Sequence, residues 1–319
     1  MFKTLTAGVF AGALLLAACG SDAKDAGSTA APTTAAPAAT DTPTATDAPA
    51  ATEAPAATGA PAAGDDAAAC AADKTLAAGK LTIATGDPAF PPYVIDDKPE
   101  AGQGFEAAVA LAVAKEMGFE GDAVTWVRTS FDTAVAGSDS NFDFNLQQFS
   151  INADREKVVS FSDPYYTSNQ SVLGYTDGPG AKVTKLSDLK SLKLGAAAGT
   201  TSLQFIIDVI KPDADPFAFN SNADAKTALD NGQIDAIITD LPTGLYISAV
   251  EIENTKVFGQ FPVDAGGAGD QWGLLFVKDN PLVACADIAL AHLTGSGELA
   301  KITDQWMGAY TEAPTLPAD

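Results

Sequence analysis
From Asp73 to the C-terminus, short strand-like runs alternate with helical patterns, and this alternation predicts an α/β fold with mostly parallel sheets. Residues 20–72 contain no Val, Leu, Ile, Met, Phe, Tyr or Trp, so the folding part is expected to begin after them, at Asp73. The chain from there to Asp319 is long enough for two lobes. Composition narrows the function. There are 18 Lys and Arg against 41 Asp and Glu, a net charge of −23. Phosphate backbones and anionic membrane surfaces both need clustered basic residues, so no nucleic-acid partner is expected. His292 is the single histidine, which removes most His-based chemistry, His-rich zinc sites above all. A saline habitat would equally account for the acidity, so no ligand is inferred from charge alone.

The N-terminal segment reads as a processing signal. Lys3 supplies a positive start, and Leu5 to Leu16 supply an apolar run too short to span a bilayer. The run ends in Leu16-Ala17-Ala18-Cys19, which resembles the bacterial lipobox. Residues 1–18 are therefore expected to be a lipoprotein signal peptide, with Cys19 carrying a lipid that anchors the chain to a membrane. The other reading is an ordinary signal peptide with a chance cysteine. Cys70 and Cys285 then remain, and in an oxidising compartment a disulfide is the simple expectation, with two free thiols as the alternative. Residues 19–72 are expected to be a disordered Ala/Thr/Pro tether. Prolines at 32, 37, 43, 49, 55 and 61 would interrupt any Ala-rich helix. Extended, the tether reaches on the order of 150 Å.

Past Asp73 the elements follow in order. Runs rich in β-branched or aromatic residues predict strands at Leu81–Thr85, Ala123–Arg128, Phe142–Leu146, Val172–Tyr175, Leu192–Ala196, Pro216–Phe219, Ala236–Thr239, Val257–Phe261 and Gly273–Val277. Helical patterns lie at Glu106–Met117, Thr200–Ile210, Ala223–Asn231, Pro281–Leu293 and Glu298–Met307. The first of these stops at Gly118, a residue suited to a helix C-terminus. His292 reads as an ordinary residue of the fourth. In such folds ligands sit at the carboxyl ends of strands, near helix N-termini.

Four places there suit a small zwitterion. Gly86 to Tyr93 set an aromatic on a proline-stiffened loop after the first strand; the plainer reading is a structural turn. Arg155 follows the strand FDFNL, and a guanidinium is the natural fork for a carboxylate; the plainer reading is a surface arginine paired with Asp154 or Glu156. Leu194 to Thr201 run from strand through a glycine turn into a helix, an anion site or simply a threonine cap. Asp240 ends an apolar strand, where it can accept an ammonium or cap the following helix, or both.

Taken together in this order, the strings GDPAFPPY, GQGFEAAVALAVAKEMG, SINADREKVVSFSDPYY, LGAAAGTTSLQF, ALDNGQIDAIITD and GSGELAKITDQW resemble the extracellular solute-binding proteins of family 3, the polar amino-acid receptors of ABC importers. The resemblance runs from about Lys80 to about Tyr310. The run from Arg155 to Tyr166 is its most specific part. It implies the two-lobed periplasmic-binding-protein-like fold (type II) with a two-strand hinge. Lobe 1 is expected at 73–172 plus 270–312, lobe 2 at 173–269, and a tail at 313–319. The hinge crossings would be Val172–Tyr175 and the stretch near Phe258–Trp272.

The resemblance also implies roles. Arg155 would clamp a ligand α-carboxylate, helped by Thr201, Asp240 would accept the α-ammonium, and Ser150 would bond the carboxylate or the ammonium. Phe90 and Phe131 would wall the ligand's side chain. The family pattern departs at Gln147 and Gln148, two amides where small residues are usual, and at Asn152, which replaces a threonine. Gln148 is expected to touch the ligand; Asp87, Gln147 and Ala197 are further candidates. No catalytic residue, metal or cofactor is expected. The implied partners are an amino acid, the permease subunits of an importer and, through Cys19, a membrane; the chain would be a monomer at the outer face of the cell membrane or in the periplasm. Two rival functions share the fold or the tether: an enzyme acting on a cyclic amino acid or peptidoglycan, and a surface interaction protein.

Overall fold
The computed structural model describes residues 66–261 and 269–317. The expected signal peptide, Cys19 and residues 20–65 of the expected tether lie outside the described residues. In chain order the strands are β1 (Leu81–Gly86), β2 (Val124–Thr129), β3 (Phe144–Leu146), β4 (Val159–Ser168), β5 (Gln170–Tyr175), β6 (Leu194–Ala197), β7 (Phe217–Phe219), β8 (Ala236–Asp240), β9 (Thr255–Gln260) and β10 (Asp270–Val277). The α-helices are α1 (Ala67–Ala71), α2 (Phe105–Glu116), α3 (Phe131–Val135), α4 (Thr201–Phe205), α5 (Asn222–Asp230), α6 (Leu241–Tyr246), α7 (Leu282–Gly295) and α8 (Glu298–Met307).

The strands form two five-stranded mixed sheets, ordered β2-β1-β3-β10-β4 and β7-β6-β8-β5-β9. In each sheet four strands run one way and one runs against them, β10 in the first sheet and β5 in the second. In the first lobe Leu81, Ile83, Phe144, Leu274 and Phe276 pack against α2 and α7 through Phe105, Val109, Val113 and Leu290. Helix α2 ends where Gly118 takes a φ of 85° and the Phe119 N–H returns to the Ala114 carbonyl, so its last carbonyls are capped as the sequence suggests. In the second lobe the period of two in a strand divides the core. Val172 and Ile238 face one layer, and their neighbours Leu173 and Ile237 face the other.

The structure departs from the sequence expectation in four places. The longest strand, β4, is absent from the expected set because Asp163-Pro164 breaks its pattern. As an edge strand it tolerates proline, and register shifts at Gly273 opposite Pro164 absorb the missing ladder bond. Helix α1 forms inside the expected tether. Asp66 accepts from the Ala68 and Ala69 N–H groups, and Cys70 is disulfide-bonded to Cys285 of α7, which pins a helix of alanines that could not hold itself. The first sheet change falls between Ser168 and Gln170, so Val172–Tyr175 belongs to the second sheet rather than to a crossing; residues 262–268 of the return lie outside the described residues.

The fourth departure is the C-terminal segment, expected as a tail. After α8 it runs to the second lobe. Tyr310 meets Tyr246, Thr315 bridges Gln260 of edge strand β9, and Leu316 is buried in that lobe's core. An added Cβ on Gly259 would lie 2.4 Å from Leu316, so glycine is required for this close approach.

Candidate functional site
A cavity of about 410 Å³ opens between the lobes. All ten residues named from the sequence line it: Asp87, Phe90, Phe131, Gln147, Gln148, Ser150, Arg155, Ala197, Thr201 and Asp240. Those up to Arg155 come from the first lobe, the last three from strand ends and a helix start of the second.

Arg155 is buried, 8% exposed, and does not pair with its neighbours in sequence; Asp154 pairs with Lys157 at 2.6 Å instead. Its guanidinium donates to the Ser150 carbonyl at 2.7 Å and, across the cleft, to the Gly199 carbonyl at 3.0 Å. It also lies 5.4 Å from the centre of the Phe131 ring, which stacks on Phe149. A buried cation held by carbonyls and a ring face keeps donors for an anion. Ser150 and Thr201 meet across the cleft through their hydroxyls at 3.2 Å.

Asp240 occupies the cap position of α6, yet its side chain makes no capping bond, so the carboxylate is left for the cleft. Burial holds it well above the ordinary carboxylate range, and the charge of Asp270 adds to this; Arg155 and the Gln170 amide oppose it. Burial pushes Arg155 down in turn.

Several cleft residues escaped sequence reasoning. Glu106, in the first turn of α2, is 2% exposed and accepts from the Gln148 N–H at 2.7 Å, the Gln148 amide and the Tyr165 hydroxyl. Burial pushes it up to about 7 against those bonds. One acid in the otherwise apolar stretch FEAAVALAVA was its available signal. Glu106 explains how Gln148 keeps a φ of 51°: both its backbone and its amide are tied. Gln147 is tied to Thr129 and Asn145. Tyr93, buried against Trp272, reaches the second lobe through a 2.8 Å bond to Thr243. No sequence signal pairs residues 150 positions apart.

A two-lobed α/β protein with an arginine on one wall of the cleft and a carboxylate on the other is built as a receptor for a small solute. The chain belongs to the bacterial extracellular solute-binding proteins, family 3, whose model matches residues 81–309. An arginine-binding periplasmic protein of Mannheimia haemolytica is 28% identical over 224 residues, covering 70% of this chain and 89% of that one. A glutamine-binding ABC transporter protein of Bacillus subtilis is 29% identical, covering 66% and 75%. Among solved structures, an ancestral arginine-binding protein bound to glutamine has a TM-score of 0.60 at 28% identity, covering 72% of this chain and 98% of that one. An ancestral amino acid-binding protein, a precursor of cyclohexadienyl dehydratase, has a TM-score of 0.59 at 28% identity, covering 72% and 95%.

Proposed function
We propose that this chain is the capture subunit of an ABC importer, taking an amino acid between its lobes and delivering it to permease subunits, as a monomer anchored to the membrane by a lipid on Cys19. The observation that carries this is the placement of Arg155 and Asp240 on opposite walls of one cavity of a size suited to a small ligand. Arg155, with Ser150 and Thr201, holds the α-carboxylate; Asp240 holds the α-ammonium; Phe90 and Phe131 flank the side chain. The arginine- and glutamine-binding relatives support an amino acid as the ligand. The carboxyl groups of Asp87, Glu106, Asp132, Asp240 and Glu251 outnumber Arg155 and Lys226 around the cleft, which favours basic and neutral amino acids over glutamate and aspartate.

The related precursor of a dehydratase raises an enzymatic reading, in which a carboxyl with a raised pKa would act as general acid. Glu106 and Asp240 have that property, but the oxygens of Glu106 are occupied by Gln148 and Tyr165, which gives it a bracing role, and Asp240 already accepts from the Gln170 amide and faces Arg155, which favours a binding protein over an enzyme. No helix among the described residues is long and apolar enough to cross a membrane, in keeping with attachment through a lipid.

A thermal-shift screen of the purified protein against the amino acids tests this reading. A ligand at about 100-fold over its Kd adds about 2.7 kcal/mol, a rise of several degrees in Tm. The hit is expected to vanish in Arg155→Ala. A well-folded, ligand-free sample that responds to no amino acid would overturn the reading.

A further inference from the structure
Behind Arg155 and Asp240, at the hinge, two more polar residues meet. Gln170 opens β5 immediately after the chain changes sheet, and Asp270 opens β10 immediately after it returns. Neither lines the 410 Å³ cavity. The Gln170 amide donates to both carboxylates, to Asp270 at 2.5 Å and to Asp240 at 3.2 Å. Gln170 is 7% exposed, and its Oε1 has no hydrogen-bond partner among the described residues. Its side chain is therefore oriented by what the two acids accept. Asp270 in turn is favoured in its charged form by Gln170 and by the clamp residues Thr201, Arg155 and Ser150.

The charges around this cluster do not balance. Asp240 and Asp270 face one guanidinium, whose close bonds go to the Ser150 and Gly199 carbonyls. The other groups felt by Asp240 are Glu106 and the tyrosines Tyr93, Tyr165 and Tyr166, none of which adds a positive charge. Burial acts first on both acids and favours their neutral forms. Two carboxylates joined through one amide in a desolvated place titrate as a pair, with one proton held beyond the ordinary range.

We propose that Gln170 and Asp270 are positioning residues of the ammonium half of the clamp, and that the Asp240–Asp270 pair holds one proton which the ligand's ammonium displaces. The inference rests on the amino-acid reading for its ligand and on the hinge geometry for its proton. On binding, the acid O–H bond breaks, the proton leaves to solvent, and the ammonium donates hydrogen bonds to the ionised Asp240. No covalent bond to the ligand forms. Affinity then rises about tenfold per pH unit up to the upper step of the pair and is flat above it.

Carbon-13 NMR of the side-chain carboxyls in the aspartate-labelled full chain, without added ligand, tests the proton directly. The signal that disappears in Asp240→Asn is expected to titrate above the ordinary carboxylate range. In Asp270→Asn it is expected to fall by about one pH unit or more, and Asp270→Glu is expected to keep it raised. An Asp240 signal that titrates normally, or is unmoved in Asp270→Asn, overturns the proposal. If Asp270→Asn does not fold, the wild-type curve decides: two linked steps support the pair, and a single ordinary step overturns it. Calorimetry with L-arginine and L-glutamine, in buffers of unequal ionisation enthalpy near the upper step, is expected to show about one proton released per amino acid bound. Binding without release overturns the proposal. Failure of both to bind would count against the amino-acid reading, while the ligand-free titration still decides the proton.

Discussion
At the scale of single residues, the cleft is held by bonds whose removal has separable effects. Tyr93→Phe deletes the buried bond to Thr243 that joins the lobes when they meet. Net loss of such a bond is about 1 kcal/mol, so affinity for the captured amino acid should fall by about fivefold in calorimetry. An unchanged affinity would mean that the bond does not contribute to closure. Glu106 predicts a pH effect on stability. Its folded pKa of about 7 lies above the 4.5 of an ordinary glutamate. Its contribution is thus fully present below pH 4.5 and is lost as pH rises through 7. Glu106→Gln should cancel that slope, so the variant gains on the wild type by up to about 3 kcal/mol between pH 5 and 8, read by urea unfolding at each pH. Parallel curves would contradict it. The residues recoverable from sequence, Arg155 and Asp240 among them, sit in local strings at strand ends. Those missed act through partners remote in sequence: Thr243 for Tyr93, Tyr165 for Glu106, Asp240 for Gln170.

At the scale of elements, periodicity was informative wherever an element supplies its own pattern. Helix α2 and strands β1 and β8 fall within a residue or two of expectation because their apolar spacing is regular. Strand β4 was hidden by Pro164, helix α1 by a composition of alanines, and the C-terminal segment by its lack of any period; each is held by contacts made elsewhere in the chain. Leu316, 4% exposed, seals the Gly259 edge of β9 together with the bonds of Gln260 to the segment's backbone. Leu316→Ala should cost about 2–4 kcal/mol in chemical unfolding although it lies at the chain end. A loss under about 0.5 kcal/mol, typical of an exposed position, would show that the segment does not support the lobe. Cys285→Ala should cost a comparable amount, about 2–5 kcal/mol, by freeing the closure between Cys70 and Cys285, 215 positions apart.

At the scale of the molecule, the lobes are joined near the cleft by Asn169, between β4 and β5, and beside it by the C-terminal segment. Gln260 gathers these connections, bonding Asn169 through its oxygen and the Ala313 carbonyl through its nitrogen. Arg155, Ser150 and Tyr93 of the first lobe bond Gly199, Thr201 and Thr243 of the second across the cleft, contacts that separating the lobes would break. In the proposed mode a zwitterion gripped by Arg155 at one end and Asp240 at the other would add affinity to that arrangement alone, and a ligand shifts a population only by such a difference. Electron–electron resonance between spin labels on E120C and D213C, one on each lobe, tests this most directly, with Cys19 replaced and the native disulfide intact. Saturating amino acid should collapse the distance distribution to one short component in the wild type, and Arg155→Ala and Asp240→Asn should each retain the longer component at the same concentration. A distribution unmoved by bound ligand, or closure that persists in both variants, would contradict capture by opposed lobes.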